Sequence, residues 1–414
     1  MAFSGRYKKV FLVLAFLVLV AVLGYLIWRV FFRPMAVSPT ATTTPGTLSG
    51  LPTIGPGGEI IGEVTGPGEL PEGATTTGAI SPVTEPNEVA AGGLTRTEAL
   101  VKSPTLEPTL SSDGLVQYYD KDSGLFYKID DQGEIVSLSD KVFHDVDNVT
   151  WSPDKDKAII EYPDGNKILY NFQTEKQVTL PAHWQEFSFS PTSDSIVSES
   201  IGLDPENRWL MVSNDDGSQA KAIENIGTNA DKVYPSWSPT NQIVALYTQG
   251  VDFDRQEVFF VGLNGENFKS TIVEGRGLET QWSTEGDRLL YSVYNSSDNL
   301  NPRLWIVDAS GDTISQNRRS LDLQTWADKC TFSSNTEIYC AVPDSLERGS
   351  GLFPELADKT KDSLYKIDLT TGTQKLIAVP DGAYNISQVI VPENEEYLYF
   401  TDKTTEQLYR INLK

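Results

Sequence analysis

Cysteine, histidine and methionine are nearly missing from this 414-residue chain, which holds two, two and three of them. The two histidines, His144 and His183, limit any Ser-His-Asp site to one of them. Neither belongs to an H-E-x-x-H or paired-cysteine metal motif. No G-x-S-x-G elbow occurs, which argues against α/β-hydrolase chemistry. The acidic pairs Asp145/Asp147, Asp154/Asp156 and Asp252/Asp254 lack the twelve-residue calcium-loop spacing and read as solvated loop charge. No catalytic residue, metal site or cofactor is therefore expected.

Basic residues are also scarce, 33 Lys and Arg against 57 Asp and Glu, for a net charge of −24. Such a surface argues against nucleic acid as a partner and against lying flat on anionic lipid. Residues 34–94 contain no aromatic residue and no Lys or Arg, while 32 of their 61 positions are Pro, Gly or Thr. A segment of that composition cannot bury enough apolar surface to offset its ordering entropy, so 33–94 is expected to be a disordered spacer.

Charge is absent from Val10 to Trp28, nineteen mostly apolar residues flanked by Arg6, Lys8 and Lys9 before and Arg29 and Arg33 after. A helix of that length spans about 28 Å, close to a bilayer's hydrocarbon thickness. A cleaved signal peptide would have a shorter apolar core and a small-x-small site, whereas this run ends in Tyr25-Leu-Ile-Trp-Arg29. The expectation is a cytoplasmic N-terminus (1–9) and a single-pass transmembrane signal anchor (10–32). The remainder then lies on the extracytoplasmic side of the cell membrane, although the two arginines on the far side oppose that orientation.

What the chain does have is a phrase repeated seven times. Leu110, Trp151, Phe189, Trp237, Trp282, Phe332 and Val391 each precede a tight polar turn, as in W-S-P-D, F-S-P-T and W-S-T-E-G. Their spacings are 41, 38, 48, 45, 50 and 59 residues. A period of roughly 40–50 residues with several short strands per unit predicts a β-propeller. Apolar residues alternate in a recurring third strand, such as Leu125-Phe-Tyr-Lys-Ile-Asp and Leu408-Tyr-Arg-Ile-Asn. The expected fold is all-β: a seven-bladed propeller of four-stranded antiparallel blades over residues 95–414. The last unit supplies only three strands, and residues 97–102 sit where the other units keep strand D. They are expected to close the ring and remove its exposed edge.

Cys330 and Cys340 flank one hairpin turn, and pairing Phe332 with Ile338 sets them opposite each other. Cross-strand neighbours come close enough to bridge in a non-hydrogen-bonded pair, and an oxidising compartment would favour the disulfide over buried thiols.

The W-S-P-D and F-S-P turns and the L-Y-x-I-D strands resemble the TolB-like and WD-repeat-like propeller families, including propellers that precede prolyl-oligopeptidase-type catalytic domains. Val391-Pro-Glu-Asn departs from that pattern. The resemblance implies a rigid disc that binds proteins or peptides without chemistry.

Function should reside where the repeat is irregular. The long connections join strands B and C, above all Pro343–Ser363, which carries Leu352, Phe353 and Leu356 as a docking hook or a lid. Six or seven residues before each anchor, the D–A loops present His144 with Asp145, His183 with Trp184, Asp231, Arg276, Trp326 and Tyr384. Converging aromatic, Arg and His groups suit a peptide or another polar ligand. The same positions also serve structural roles in propellers, histidine as a hydrogen-bonding element and tryptophan as a cap on the core. Three readings follow: a protein- or peptide-binding scaffold, a glycan- or peptide-acting enzyme at the funnel, and a structural spacer of an envelope complex. Oligomeric state is left open.

Overall fold

The computed structural model describes residues 85–130 and 132–414, together with Val18, Val20, Val22, Leu23, Tyr25, Thr53–Ile54 and Ile60–Ile61. The expected cytoplasmic segment 1–9 and most of the expected anchor and spacer lie outside these residues. The five described residues of the apolar run are helical. No helix among the described residues is long and apolar enough to cross a membrane. The chain divides into two compact units, Met1–Ala79 and Ile80–Lys414. In the first, Thr53–Ile54 pairs antiparallel with Ile60–Ile61.

The second unit is a seven-bladed β-propeller. The first strand (A) of each blade is Thr105–Leu110, Asn148–Trp151, Trp184–Phe189, Val233–Pro235, Arg276–Trp282, Cys330–Ser334 and Ile386–Ile390. In blades 1 to 6 strands B, C and D follow each A strand as an antiparallel meander, and in blade 7 strands B and C do. The A strands of blades 1 and 2, 2 and 3, 3 and 4, and 6 and 7 touch one another, which places strand A on the inner wall of the ring.

The apolar pattern explains the stacking. Successive strand residues point to opposite faces of a sheet. Ile159 of blade 2 therefore packs toward blade 3, and its neighbours Ala158 and Ile160 pack toward blade 1. Both faces of each blade are buried, which is why the B strands read as unbroken apolar runs such as Ile243-Val-Ala-Leu246. Seven core clusters result, one at every junction between blades.

The repeated turns work through their serines. Ser152, Ser190, Ser238 and Ser283 each accept, at Oγ, the backbone N–H five residues on, at 3.1–3.2 Å. Two anchor tryptophans also tie their blade to the preceding one: Trp151 Nε1 donates to the Glu107 carbonyl at 2.8 Å, and Trp282 Nε1 to Ser236 Oγ at 2.9 Å.

Blade 7 takes its outer strand from the front of the unit. Glu98–Ala99 pairs antiparallel with Leu408–Asn412, and Val101 enters the core between blades 7 and 1. Residues 85–94, placed in the expected spacer, are joined to the propeller, which corrects the spacer boundary at 94. Gly93–Thr95 runs parallel to Gln374–Pro380 as a fifth strand on blade 6, and Ala90 N–H bonds the Asn412 carbonyl at 2.9 Å. Composition hid this because backbone hydrogen bonds to a sheet edge require no particular side chain. Cys330 and Cys340 are disulfide-bonded across strands A and B of blade 6, within the core shared with blade 5.

Candidate functional site

The D–A and B–C connections share one face of the disc, and the inner strands begin there. Their geometry is irregular. In blades 1, 3, 5 and 7 strand A carries a β-bulge near its start, between Leu106 and Thr109, Gln185 and Ser188, Arg276 and Glu279, and Ile386 and Gln388. Glu107 (φ 44°), Glu186 (φ 55°) and Gly277 (φ 65°) adopt left-handed backbone inside three of them. Bulges re-aim side chains and break strand alternation. In blades 4 and 6 a 3-10 turn of identical sequence, Ala-Asp-Lys, precedes strand A at Ala230–Lys232 and Ala327–Lys329.

These devices leave a carboxylate at the funnel end of the inner strand in five blades: Glu107, Glu186, Asp231, Glu279 and Asp328. Glu279 and Asp328 line a cavity of about 120 Å³ with Trp326, Asn385, Ser387 and Lys403. A neighbouring cavity of about 410 Å³ shares Asp328, Ser387 and Lys403 and adds Glu107. Burial and then the Asp328 charge push the Glu279 carboxyl up to about 8, while Ser292 Oγ, 3.4 Å from its Oε2, opposes the shift. Burial likewise raises Asp328 and Glu107 above the usual carboxylate range. Both reach solvent along the funnel yet sit among many protein atoms, so their hydration is restricted.

The adjacent cations Lys329 and Lys403 act on Asp328 by charge alone, opposing the effect of its burial, while their hydrogen bonds and ion pairs go to other groups. Lys329 donates to both oxygens of Asp362 (3.0 and 2.9 Å) and to Asn385 Oδ1 (3.2 Å), all buried. Lys403 pairs with Asp358 at 2.7 Å.

A second acidic group lies where blades 3 and 4 meet. Glu199, on strand B, is 1% exposed and faces Gln185 across the sheet. Its Oε2 accepts a long 3.3 Å bond from Gln185 Nε2, and its Oε1 has no partner. Burial, then the charges of Glu186 and Asp231, push this carboxyl up to about 7 against the lowering effect of Gln185.

The residues singled out by sequence are not one ring of exposed groups. His144, Asp145, His183 and Asp231 are exposed on the D–A loops. Trp184 is core between blades 2 and 3. Tyr384 packs edge-on against Phe400. Trp326 is buried but lines the smaller cavity. Arg276 lies against Gly250 and donates to the Arg255 carbonyl at 3.4 Å. Glu107, Glu186, Glu279 and Asp328 escaped notice because bulges and the turns before strand A, rather than distance from an anchor, bring them to the funnel, and Glu199 because it is a buried strand B residue.

The Pro343–Ser363 insertion is fastened to the disc. Gly349 and Gly351 N–H groups bond the Asn299 and Leu300 carbonyls at 2.9 and 2.8 Å. A Cβ on Gly351 would fall 2.5 Å from that of Tyr294, so this approach requires glycine. At its other end Asn385 Nδ2 donates to the Asp358 carbonyl at 3.2 Å. Leu352, Phe353 and Leu356 stay 42, 58 and 41% exposed on the fastened loop. Leu203 and Phe253, on the B–C loops of blades 3 and 4, are 98 and 71% exposed.

The sequence matches no protein-family model and no curated protein. Solved structures share the fold. An oligogalacturonate lyase in complex with manganese superposes with a TM-score of 0.52 at 14% identity, covering 77% of this chain and 93% of the lyase. The propeller domain of Myceliophteria thermophila Cps50 (Swd1) gives 0.51 at 11%, covering 77% and 100%. A prolyl endopeptidase gives 0.51 at 12%, covering 76% of this chain and 49% of that one. The likeness is one of fold. Lyase, Swd1 and peptidase propellers stand side by side in it, so it selects no activity.

Proposed function

We propose that this chain is a membrane-tethered, extracytoplasmic propeller that binds a protein or peptide through its loop-rich face without catalysing a reaction. One observation carries the reading: Leu203, Phe253 and Phe353, on three different B–C loops, are 98, 71 and 58% exposed around an acidic funnel. Large apolar side chains held out on anchored loops, rimmed by polar groups, are typical of docking surfaces. The uncharged run Val10–Trp28 and the disulfide support the tether and the oxidising compartment. The W-S-P-D and L-Y-x-I-D phrases resemble TolB-like repeats, whose propellers bind proteins or peptides.

The test is crosslinking in intact cells followed by recovery of the full chain. Replacing Leu203, Phe253 and Phe353 together by serine should abolish the crosslinked partner while leaving the melting temperature unchanged. Equal recovery of the partner by the variant would sink the proposal.

Glu279 favours a second reading, an enzyme acting on glycans or peptides at the funnel. A carboxyl raised to about 8 beside a cavity suits a general acid or base. Unreduced turnover of any identified substrate by Glu279→Gln would remove that reading.

A further inference from the structure

We propose that the face of the disc opposite the loop-rich one carries an oxyanion site at the junction of blades 5 and 6, built on Arg288 and Arg319 and suited to a small phosphate monoester. The site stands apart from the loop face and does not rest on the function assigned there.

Residues 95–414 hold only ten arginines, and Arg318-Arg319 is the one place there where two basic residues adjoin. Three of the ten, Arg288, Arg318 and Arg319, line a single open cavity of about 510 Å³ with Asp308, Asn317 and Leu369. Chance placement of 51 acidic and 28 basic residues favours the opposite sign. The chain also reaches this cavity in an unusual way. The C–D connections of blades 1 to 4 and 6 are four to eight residues long, whereas that of blade 5, residues 309–318, has ten. It contains a 3-10 turn, Gly311–Thr313, and left-handed backbone at Ser315 (φ 74°) and Asn317 (φ 49°). An irregular loop held by a rigid scaffold is where binding groups concentrate.

Turns of blade 6 hold the two principal arginines in place. Arg288 donates to the Asn335 carbonyl at 3.2 Å, and Arg319 donates to the Leu369 carbonyl. A guanidinium carries five N–H donors on a planar fork, so one carbonyl fixes its orientation and leaves most donors over. Arg288 meets Asp287 only at 3.9 Å, and Asp287 already accepts from Ser283 Oγ at 2.9 Å and Asn335 Nδ2 at 3.0 Å. Arg318 meets Glu274 at 3.4 Å and lies over the Trp305 ring at 5.7 Å, so it adds charge to the cavity rather than a free fork. Among the described residues Arg319 has no carboxylate within 4 Å, unlike these two neighbours. The one carboxylate lining the cavity, Asp308, accepts from Asn317 Nδ2 at 2.7 Å and pairs with none of the arginines.

Charge and shape select the ligand. A carboxylate carries one charge and is satisfied by one fork. A phosphate monoester carries nearly two charges at neutral pH and three terminal oxygens, enough for two forks. The cavity falls within the roughly 300–1,000 Å³ of small-molecule sites, which leaves room for a sugar-sized organic part beside the phosphate.

The experiment is isothermal titration calorimetry of the full chain in nonionic detergent, at neutral pH and low ionic strength. Ribose phosphate is the probe, ribose its uncharged counterpart and succinate a dicarboxylate of similar charge. Ribose phosphate should bind saturably, ribose should not bind, and succinate should bind at least about tenfold more weakly. Phosphatidic acid in the same micelles, which carries the phosphate on a lipid, should leave the binding of ribose phosphate unchanged. Arg288→Gln with Arg319→Gln should weaken binding at least about tenfold. Arg319 is exposed, so Arg319→Lys keeps the fold and the charge while losing the fork, and should weaken binding about fivefold. Arg96→Gln with Arg348→Gln, exposed arginines outside the cavity with the same charge change as the double variant, should alter it less than twofold. Absence of saturable ribose phosphate binding, unchanged affinity in either cavity variant, or equal loss in the remote variant would each overturn the proposal. Succinate binding as tightly as ribose phosphate, or displacement by phosphatidic acid, would overturn its assignment to a soluble phosphate monoester.

Discussion

Replacing Glu199 by glutamine should make the protein more stable, by an amount that depends on pH. In the folded chain the Glu199 carboxyl is raised to about 7 from an ordinary 4.5, chiefly by burial and then by Glu186 and Asp231. A carboxyl that holds its proton more tightly when folded favours the native state at low pH. That advantage is full below about pH 4.5 and is lost as pH rises through about 7. At 1.36 kcal/mol per pH unit, the penalty above pH 7 is about 3 kcal/mol. Glutamine removes it and keeps an acceptor for Gln185. At roughly 2 °C per kcal/mol for a domain of this size, the variant should melt about 5 °C higher at pH 8. At pH 4 both chains carry a neutral side chain and the curves should nearly coincide. The assay is differential scanning calorimetry of both proteins from pH 4 to 8. A stability difference independent of pH, or a variant less stable at pH 8, would refute the placement of Glu199 as a buried, unsatisfied carboxylate.

Three further outcomes are expected. Deleting residues 95–103 removes the outer strand of blade 7 and takes Val101 from the closing core, so the melting temperature should drop by more than about 5 °C; an unchanged melting curve would contradict ring closure. Cys330→Ser with Cys340→Ser should cost about 2–3 kcal/mol in urea denaturation, the chain-entropy value for cysteines ten residues apart. Asp362→Asn leaves the Lys329 ammonium buried without its counter-ion and should cost about 3–5 kcal/mol. Lys329→Met with Asp362→Leu should cost less than the single change, and a larger loss in the double variant would show that the pair itself stabilises the blade.

The blades were legible because each is built from contacts local in sequence. An anchor, a serine turn and three following strands lie within some forty residues, and Ser152 finds its partner only five residues away at Lys157. The funnel was not. Strand alternation predicts where a side chain points only while the register is regular, and Glu107, Glu186 and Glu279 lie within or at the edge of bulges. Distance from an anchor selected Trp184 and Tyr384, which proved to be packing residues, and passed over Glu199, a strand B residue whose surroundings come partly from the next blade.

By itself, then, the sequence determined the sevenfold repeat, the all-β propeller and the facing positions of Cys330 and Cys340, because these follow from periodicity and hairpin register. Only the tertiary structure decided which charges meet. Asp231 is 32 positions from Glu199, and Asp328 is 49 from Glu279. Their proximity depends on how one blade's turn sits against the neighbouring blade, and electrostatic energy follows distance in space rather than separation along the chain.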